Sequence, residues 1–349
     1  MPMRTLAVAD DPLFLAHRSK NPHPERPERL QAAREGLTRA LAGGTDALNL
    51  DPTDATEEQL ARVHGAAYLA ELGQRAGQWG HLDADTYHAP DSVAAARRAA
   101  GASVAVVDAL IDSRADAGLC LVRPPGHHAR PNSAMGFCLL NNIAVAAAHA
   151  RMRGMQRVAI VDFDVHHGNG TQEMFYADPS VLFVSLHQFP FYPGTGSANE
   201  LGKGEGTGYT VNVPLSAGAN DAVYQAAFDQ IVLPIVEQYA PDMLLVSAGF
   251  DAHERDPLAS MQVSSATYGA MLSALRGVLP ERAQSKVGLF LEGGYDLRAL
   301  TDSLQSALAG LAQDQAFPAS PGELNRKLDP KHVRELEVCR AFQRRHFLL

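Results

Sequence analysis

Three residues spaced by two, Asp162, Asp164 and His166, close an apolar run that begins at Arg157. On an extended strand a period of two puts all three side chains on one face. Carboxylate and imidazole groups facing one way at a strand end are ligands for a divalent ion. Asp251, at the end of another apolar run, would complete the set. Three protein ligands and one open position is the arrangement of catalytic Zn²⁺. Two carboxylates and one imidazole, from Asp164, His166 and Asp251, nearly cancel the charge of such an ion. Its water would be less acidified than at a site of three neutral His, so a separate base is needed, and Fe²⁺ or Co²⁺ would also suit the site. A single Asp here would be read as a turn cap. Four such groups point to metal, because buried carboxylates must be paired or coordinated.

An acid–base pair is at hand. His127 and His128 follow a Pro-Pro-Gly turn. Adjacent imidazoles can serve as base and acid if their neighbours separate their pKa values. Asp162 is free to orient one of them rather than ligate, as carboxylates behind a metal site do. Asn169 could hold the other, and an amide raises an imidazole pKa less than a carboxylate would. Tyr295, behind Gly293 and Gly294, could place a phenol opposite the ion and stabilise a tetrahedral oxyanion. His167 points away from the face of His166 and reads as a structural hydrogen-bonder. Taken alone, the two His and the Tyr would be satisfied loop or core residues; as a set they would not.

The elements that must position these groups are strands alternating with helices. Continuous apolar runs at Thr5–Ala9, Leu119–Val122, Arg157–Asp164, Val181–His187, Met243–Ala248 and Val287–Leu291 read as strands of a parallel sheet covered on both faces. Helix-length segments lie between them: Pro27–Leu41, Glu57–Ala76, Asp91–Ile111, Leu139–Arg153, Asp221–Tyr239, Ala266–Leu279 and Leu297–Leu311. Thr56 and Gln59 form a capping box for the second, and Asp91 and Asp221 are start signals for two others. No repeat or linker divides the 349 residues, so the expectation is a single α/β domain over 1–349, with a mostly parallel sheet flanked by helices. In such sheets the ligand lies beyond the carboxyl ends of the strands. Four strand ends carry the candidate groups: Arg123 to His128, Asp162 to Gly170, Ser247 to Asp251, and Glu292 to Tyr295.

Composition narrows the partners. Hydrophobic residues make up 46% and charged residues 20%, enough for a large core. A net charge of −9 argues against direct nucleic-acid binding and would weakly attract a cationic substrate. Three Cys, Cys120, Cys138 and Cys339, make neither a disulfide framework nor a thiolate zinc site. No signal peptide or membrane-spanning run is visible, so a cytoplasmic protein without membrane contact is expected. Arg outnumbers Lys 25 to 5, a hint of a GC-rich bacterial source.

Together the motifs resemble the histone deacetylase superfamily, with its arginase/deacetylase fold. The stretches that carry the resemblance are Pro24–Leu30, Arg123–Ala129, Met135–Asn142, Ile160–Gln172, Val184–His187, Tyr192–Gly196, Val246–Ala252, Asp256–Leu258 and Leu291–Tyr295, within about residues 5–311. Asn169, where class I enzymes carry Asp, places the chain nearer class II enzymes and bacterial relatives. The resemblance implies a Zn²⁺-dependent amidohydrolase that removes acetyl or other short acyl groups from an amine by direct attack, without an acyl-enzyme. It implies Zn²⁺ on Asp164, His166 and Asp251, His128 as base and then acid, and His127 paired with Asp162 as its electrostatic partner. Tyr295 would donate to the carbonyl oxygen. Gly136 and Phe137 would form one wall of an acyl-lysine tunnel, Tyr192 the other, where Phe is common, and His88 would approach the rim. Structural K⁺ would map to Asp162, Asp164, His166, Ser185 and Leu186, and to Phe175, Asp178, Val181 and Tyr209.

Two substrates fit, an Nε-acyl-lysine and a small acetylated polyamine. Polyamine-selective class IIb enzymes place Glu where this chain has Leu258, and an apolar side chain cannot pair with a distant ammonium, which favours acyl-lysine. A catalytically weak acyl-lysine binding module would need none of His127, His128 and Tyr295. A ureohydrolase of the same fold would need a two-metal cluster. His17, His23, His64, His81 and His149 read as surface or loop histidines. The tail, 311–349, reads as an extension packed on the body or joining a homo-oligomer contact.

Overall fold

The computed structural model describes residues 3–318 and 328–349. Among them run ten strands: β1 (Thr5–Ala9), β2 (Asp46–Leu50), β3 (Gly80–His81), β4 (Tyr87–His88), β5 (Ala117–Cys120), β6 (Val158–Asp162), β7 (Val181–Gln188), β8 (Thr210–Leu215), β9 (Met243–Ala248) and β10 (Val287–Leu291). The α-helices among them are α1 (Pro27–Leu41), α2 (Glu57–Ala61), α3 (Ala66–Gln74), α4 (Ser92–Ile111), α5 (Asn142–Met152), α6 (Asn169–Phe175), α7 (Asp221–Ala227), α8 (Leu233–Tyr239), α9 (Ser265–Val278), α10 (Leu297–Ala312) and α11 (Pro330–Gln343).

Eight strands form one parallel sheet in the order β2-β1-β5-β10-β9-β6-β7-β8, and β3 and β4 make a small antiparallel hairpin apart from it. The chain thus has an α/β architecture, a large parallel sheet with helices packed on it, as expected. All six expected strands are present. The two sheet strands that the apolar runs did not announce, β2 and β8, are its edges. An edge strand faces solvent on part of its surface and reads as alternating rather than continuous. Asp46–Leu50 is mostly exposed, whereas β8 is buried with α11 (Pro330–Gln343) packed on it and alternates Val211 and Val213 with Thr210, Asn212 and Pro214, whose missing N–H is tolerable at an edge.

The helices depart from expectation where side chains have other work. The segment 57–76 is two helices, not one. His64 turns inward between them, receiving the Asn141 N–H at Nε2 (3.0 Å) with its Nδ1 3.1 Å from the Arg130 carbonyl, and the Gly65 N–H donates to the Pro131 carbonyl (2.8 Å). The Thr56–Gln59 capping box forms. Asn220 rather than Asp221 caps α7, and Asp221 instead accepts the Ser264 N–H (2.7 Å). Asp91 precedes α4 without a side-chain capping bond. A π-helical turn, Phe228–Val232, joins α7 to α8, where Pro234 cannot donate. The C-terminal tail holds α11, capped by Asp329 and packed against β8, with Gln343 Nε2 donating to the Thr210 carbonyl (3.1 Å). No described helix is long and apolar enough to cross a membrane.

Strand order is what assembles the site. The four ends expected to carry chemistry belong to β5, β10, β9 and β6, consecutive neighbours in the middle of the sheet. Parallel pairing makes all four end on one edge, so groups far apart in sequence meet there.

Candidate active site

Beyond β6 the chain leaves the strand at Asp162, so Asp164 and His166 stand on a loop rather than on a strand face. Asp164, His166 and Asp251 each offer a ligating atom, all within 4.8 Å of one another. His166 Nδ1 lies 3.2 Å from Asp164 and 3.1 Å from Asp251. Both carboxylates are buried. Burial alone would lower the His166 pKa, but the two carboxylates raise it to about 10. Two buried carboxylates and one imidazole nitrogen that reach one point are the donor set of a divalent ion, and the residues fit one. The unused lone pairs are braced by backbone: the Val165 N–H on Asp251 Oδ1 (2.9 Å) and the Gly293 N–H on Asp164 Oδ2 (2.8 Å). A Cβ at Gly293 would stand 2.1 Å from Asp251 Oδ2, so glycine is what lets this backbone approach.

Asp162 is not part of that cluster. Its Oδ2 pairs with His127 Nδ1 at 2.9 Å. His128 Nδ1 lies 2.8 Å from Asn169 Oδ1, at the start of α6. The two imidazoles pack with ring centroids 4.0 Å apart, and their environments drive them in opposite directions. Burial would lower the His127 pKa, but Asp164, Asp162 and Glu292 hold it well above the ordinary value. Burial depresses His128 well below 6.5, and the neighbouring His127 and His166 add to that, outweighing the opposing pull of Asp164 and of the Asn169 amide. A charged His127 beside a neutral His128 is the separation an acid–base pair needs.

These groups floor a narrow pocket of about 80 Å³. Its walls include Phe137, Tyr192, Leu258 and Tyr295, with Asp85 also on the lining. Tyr192 meets the His128 ring edge-on at 5.2 Å, and Phe137 meets Tyr295 at 6.1 Å. Gly136 has φ +56, and a Cβ there would lie 2.4 Å from His128 Cδ2, so the wall closes on the imidazole only with glycine. Asp256 accepts the N–H of both Tyr295 (2.6 Å) and Leu258 (2.9 Å), locking two wall residues together. Burial pushes the Tyr295 hydroxyl well above its usual pKa, so it remains a donor.

Of the other expected residues, His88 does not line this pocket. Its ring turns behind the β3–β4 hairpin, Nδ1 lying 3.0 Å from the Gln78 carbonyl, in a separate cleft with Trp79. His167 is held between Thr195 (2.8 Å) and Gln172 (3.0 Å). Ser185 is the sheet partner of Asp162 and its hydroxyl meets His187 Nδ1 (2.9 Å), with Leu186 next along β7. Phe175 and Asp178 share the turn that leads into β7 at Val181, and the Tyr209 carbonyl accepts the Phe183 N–H (2.9 Å). His17, His64 and His149 are buried rather than on the surface.

Sequence reasoning missed the support of Tyr295. Arg29, on α1, donates from Nε to the Gly294 carbonyl (2.6 Å) and from Nη2 to that of Glu292, and its guanidinium carbon lies 4.8 Å from the centre of the Tyr295 ring. Glu25 bridges Arg29 to Arg123, and Glu292 Oε2 accepts the N–H of Gly126 (2.7 Å) and His127 (3.1 Å). The charge-rich Pro24–Leu30 stretch was the available signal.

Comparison with known proteins agrees with this geometry. Residues 23–311 match the histone deacetylase domain. The chain is 36% identical over 360 residues to "Histone deacetylase 10, chloroplastic" of Oryza sativa subsp. japonica, covering 95% of this chain and 80% of that one. It is 41% identical over 313 residues to "Polyamine deacetylase HDAC10" of Homo sapiens, covering 85% of this chain and 46% of that one. Its fold superimposes on the crystal structure of the HDA15 HD domain with a TM-score of 0.90 and 37% identity, over 98% of this chain and 97% of that one. With the domain match spanning most of its length, the chain belongs to the histone deacetylase family.

Proposed function

We propose that the chain is a Zn²⁺-dependent hydrolase of Nε-acyl-lysine, and that the sites expected from the sequence carry the reaction. The observation that supports this most is convergence: the cation site, the His127–His128 pair and Tyr295 share one narrow pocket. Asp164, His166 and Asp251 would hold the ion, which when bound supplies Lewis acidity toward an amide carbonyl and a water. His128, neutral and oriented through Nδ1 by Asn169, takes the proton of the attacking water on its other nitrogen. His127, fixed by Asp162, places positive charge beside the developing tetrahedral anion. Tyr295 donates its hydroxyl to the oxyanion. His128 then returns its proton to the leaving amine, so that amide and water become a carboxylic acid and a free amine. Structural K⁺ would sit at the two carbonyl clusters around Asp162–Leu186 and Phe175–Tyr209.

For substrate class the wall is informative. Leu258 offers no charge to a second ammonium. The Asp85 carboxylate already accepts the Thr86 hydroxyl (3.2 Å) and faces the Tyr192 hydroxyl and the Gly136 N–H. A polyamine's second ammonium would therefore find no anion at Leu258, and at Asp85 only a carboxylate already engaged by neutral donors, whereas a single acylated amine needs none. The test is turnover of acetyl-lysine peptides and acetylpolyamines side by side on zinc-loaded protein, with Tyr295→Phe as control. Peptides should be preferred, and Tyr295→Phe should lower kcat about 10²–10³-fold, the usual effect of losing one oxyanion donor. Turnover of polyamines alone would overturn the substrate. Activity that survives Tyr295→Phe would overturn the oxyanion role.

A further inference from the structure

A second cavity, about 750 Å³, is lined by residues adjacent in sequence to those of the pocket. Met135 lines it while Gly136 and Phe137 line the pocket, and Pro193 lines it while Tyr192 lines the pocket. Asn169 faces it from behind His128. A polypeptide whose acylated side chain passes between Phe137 and Tyr192 therefore has its neighbouring residues beside this cleft. The lining is largely apolar, with Met135, Met174 and Pro193. Most of its charges are already engaged. Arg130 pairs with Glu173 (2.6 Å), and Glu200 accepts the N–H groups of Gly196 (3.1 Å) and Ser197 (3.0 Å) and the Gln172 amide (2.6 Å). The exposed Lys203 ammonium alone among the cleft's charged groups has no partner among the described residues. Among the described residues Asn169 Nδ2 has only the Met135 sulfur at 3.4 Å, a weak acceptor.

We propose that this cleft binds the polypeptide flanking an acyl-lysine, with apolar side chains against Met135, Met174 and Pro193 and one acidic side chain paired with Lys203. The proposal rests on the acyl-lysine reading above and sharpens it, since a small acetylated amine would end within the pocket and leave the cleft empty. Acetyl-lysine peptides with Glu or Lys scanned through the neighbouring positions on both sides, and Nε-acetyl-lysine without flanks, test it on zinc-loaded wild type and Lys203→Glu. At one scanned position wild type should favour Glu in kcat/KM by about two- to five-fold, the range of an exposed ion pair. Lys203→Glu should reverse that order and leave the unflanked substrate unchanged. Equal turnover of Glu and Lys peptides by both proteins overturns the proposal. If no acyl-lysine is hydrolysed, the functional reading fails instead, and fluorescence anisotropy with the same labelled peptides judges the cleft. Lys203→Glu must then invert the order of affinities, and equal affinities overturn it.

Discussion

Replacing Glu25 with Gln removes one negative charge from the interior without changing shape. The carboxylate is fully buried and pairs with Arg123 Nη2 (2.7 Å), Arg29 Nη1 (3.2 Å) and the Tyr87 hydroxyl (2.9 Å). Burial would raise its pKa, but Arg123 and His17 hold it well below the ordinary value, so it is ionised in the fold. An amide at this position keeps one acceptor and turns the other oxygen into a donor facing donors. Two guanidinium groups then lose the one anion they pair with among the described residues. Breaking a buried ion pair from one side costs about 3–5 kcal/mol. Unfolding entropy near 2.1 cal/mol/K per residue makes about 0.7 kcal/mol/K for 349 residues, so Tm should fall by about 4–7 °C. The effect should reach the site as well, because Arg29 grips the carbonyls on either side of Gly293 and packs on Tyr295. Well below Tm, kcat should drop, and adding Tyr295→Phe should cost little more than Tyr295→Phe alone, since both act through one hydroxyl. Differential scanning calorimetry and steady-state kinetics read the two halves. A Tm within 1 °C of wild type would refute the energetic argument, and fully additive losses in kcat would refute the link to Tyr295.

Three other outcomes follow from single contacts. Asn169→Asp would put an anion 2.8 Å from His128 Nδ1 and raise its pKa, so the acidic limb of the kcat/KM profile should move to higher pH; an unmoved limb would mean His128 is not the base. Gly136→Ala would drive a methyl into His128 at a positive φ, and activity should vanish while bound zinc, measured by atomic absorption, stays near wild type. The third is pH-dependent. His64 has its pKa lowered from 6.5 to about 4 by burial, against the Arg130 and Pro131 carbonyls, and its Nε2 accepts the Asn141 N–H. The unfolded chain takes up that proton first, so stability present above pH 6.5 should be lost as pH falls toward 4, by about 3 kcal/mol in all. Urea midpoints across this range should fall less steeply in His64→Gln; parallel curves would exclude the residue.

How much of this could be read from the chain depended on distance along it. The ends of β5, β6, β9 and β10 announced their chemistry because a continuous apolar run locates a central strand to within about two residues of its end, and the polar residues that follow must then stand near the sheet edge. Period two, by contrast, was the wrong reason for grouping Asp162 with the metal ligands. The strand ends at Asp162, and the turn after it sends that side chain to His127 while Asp164 and His166 face Asp251. His88 failed for a similar cause: a two-residue hairpin strand decides which side of the loop it occupies, and so short a strand leaves no pattern.

The Glu25–Arg29–Arg123 network was marked in the chain only by the charge-rich Pro24–Leu30 stretch, which does not say what those charges hold. Charged residues in a helical segment are read as a solvated face, and nothing near Arg29 reveals that the carbonyls of Glu292 and Gly294 wait for it more than 260 residues away. Their need is nonetheless physical and could be anticipated in kind. A loop that carries Gly293 and Gly294 so that backbone can approach two carboxylates has little side-chain packing of its own to hold it. The buried carbonyls of such a loop must find donors. A guanidinium supplies several in a fixed fork, and burying it requires an anion, which is Glu25. The ligand side of the site is thus written at strand ends, while the rigidity of the Tyr295 loop is supplied by charges that only the fold brings together.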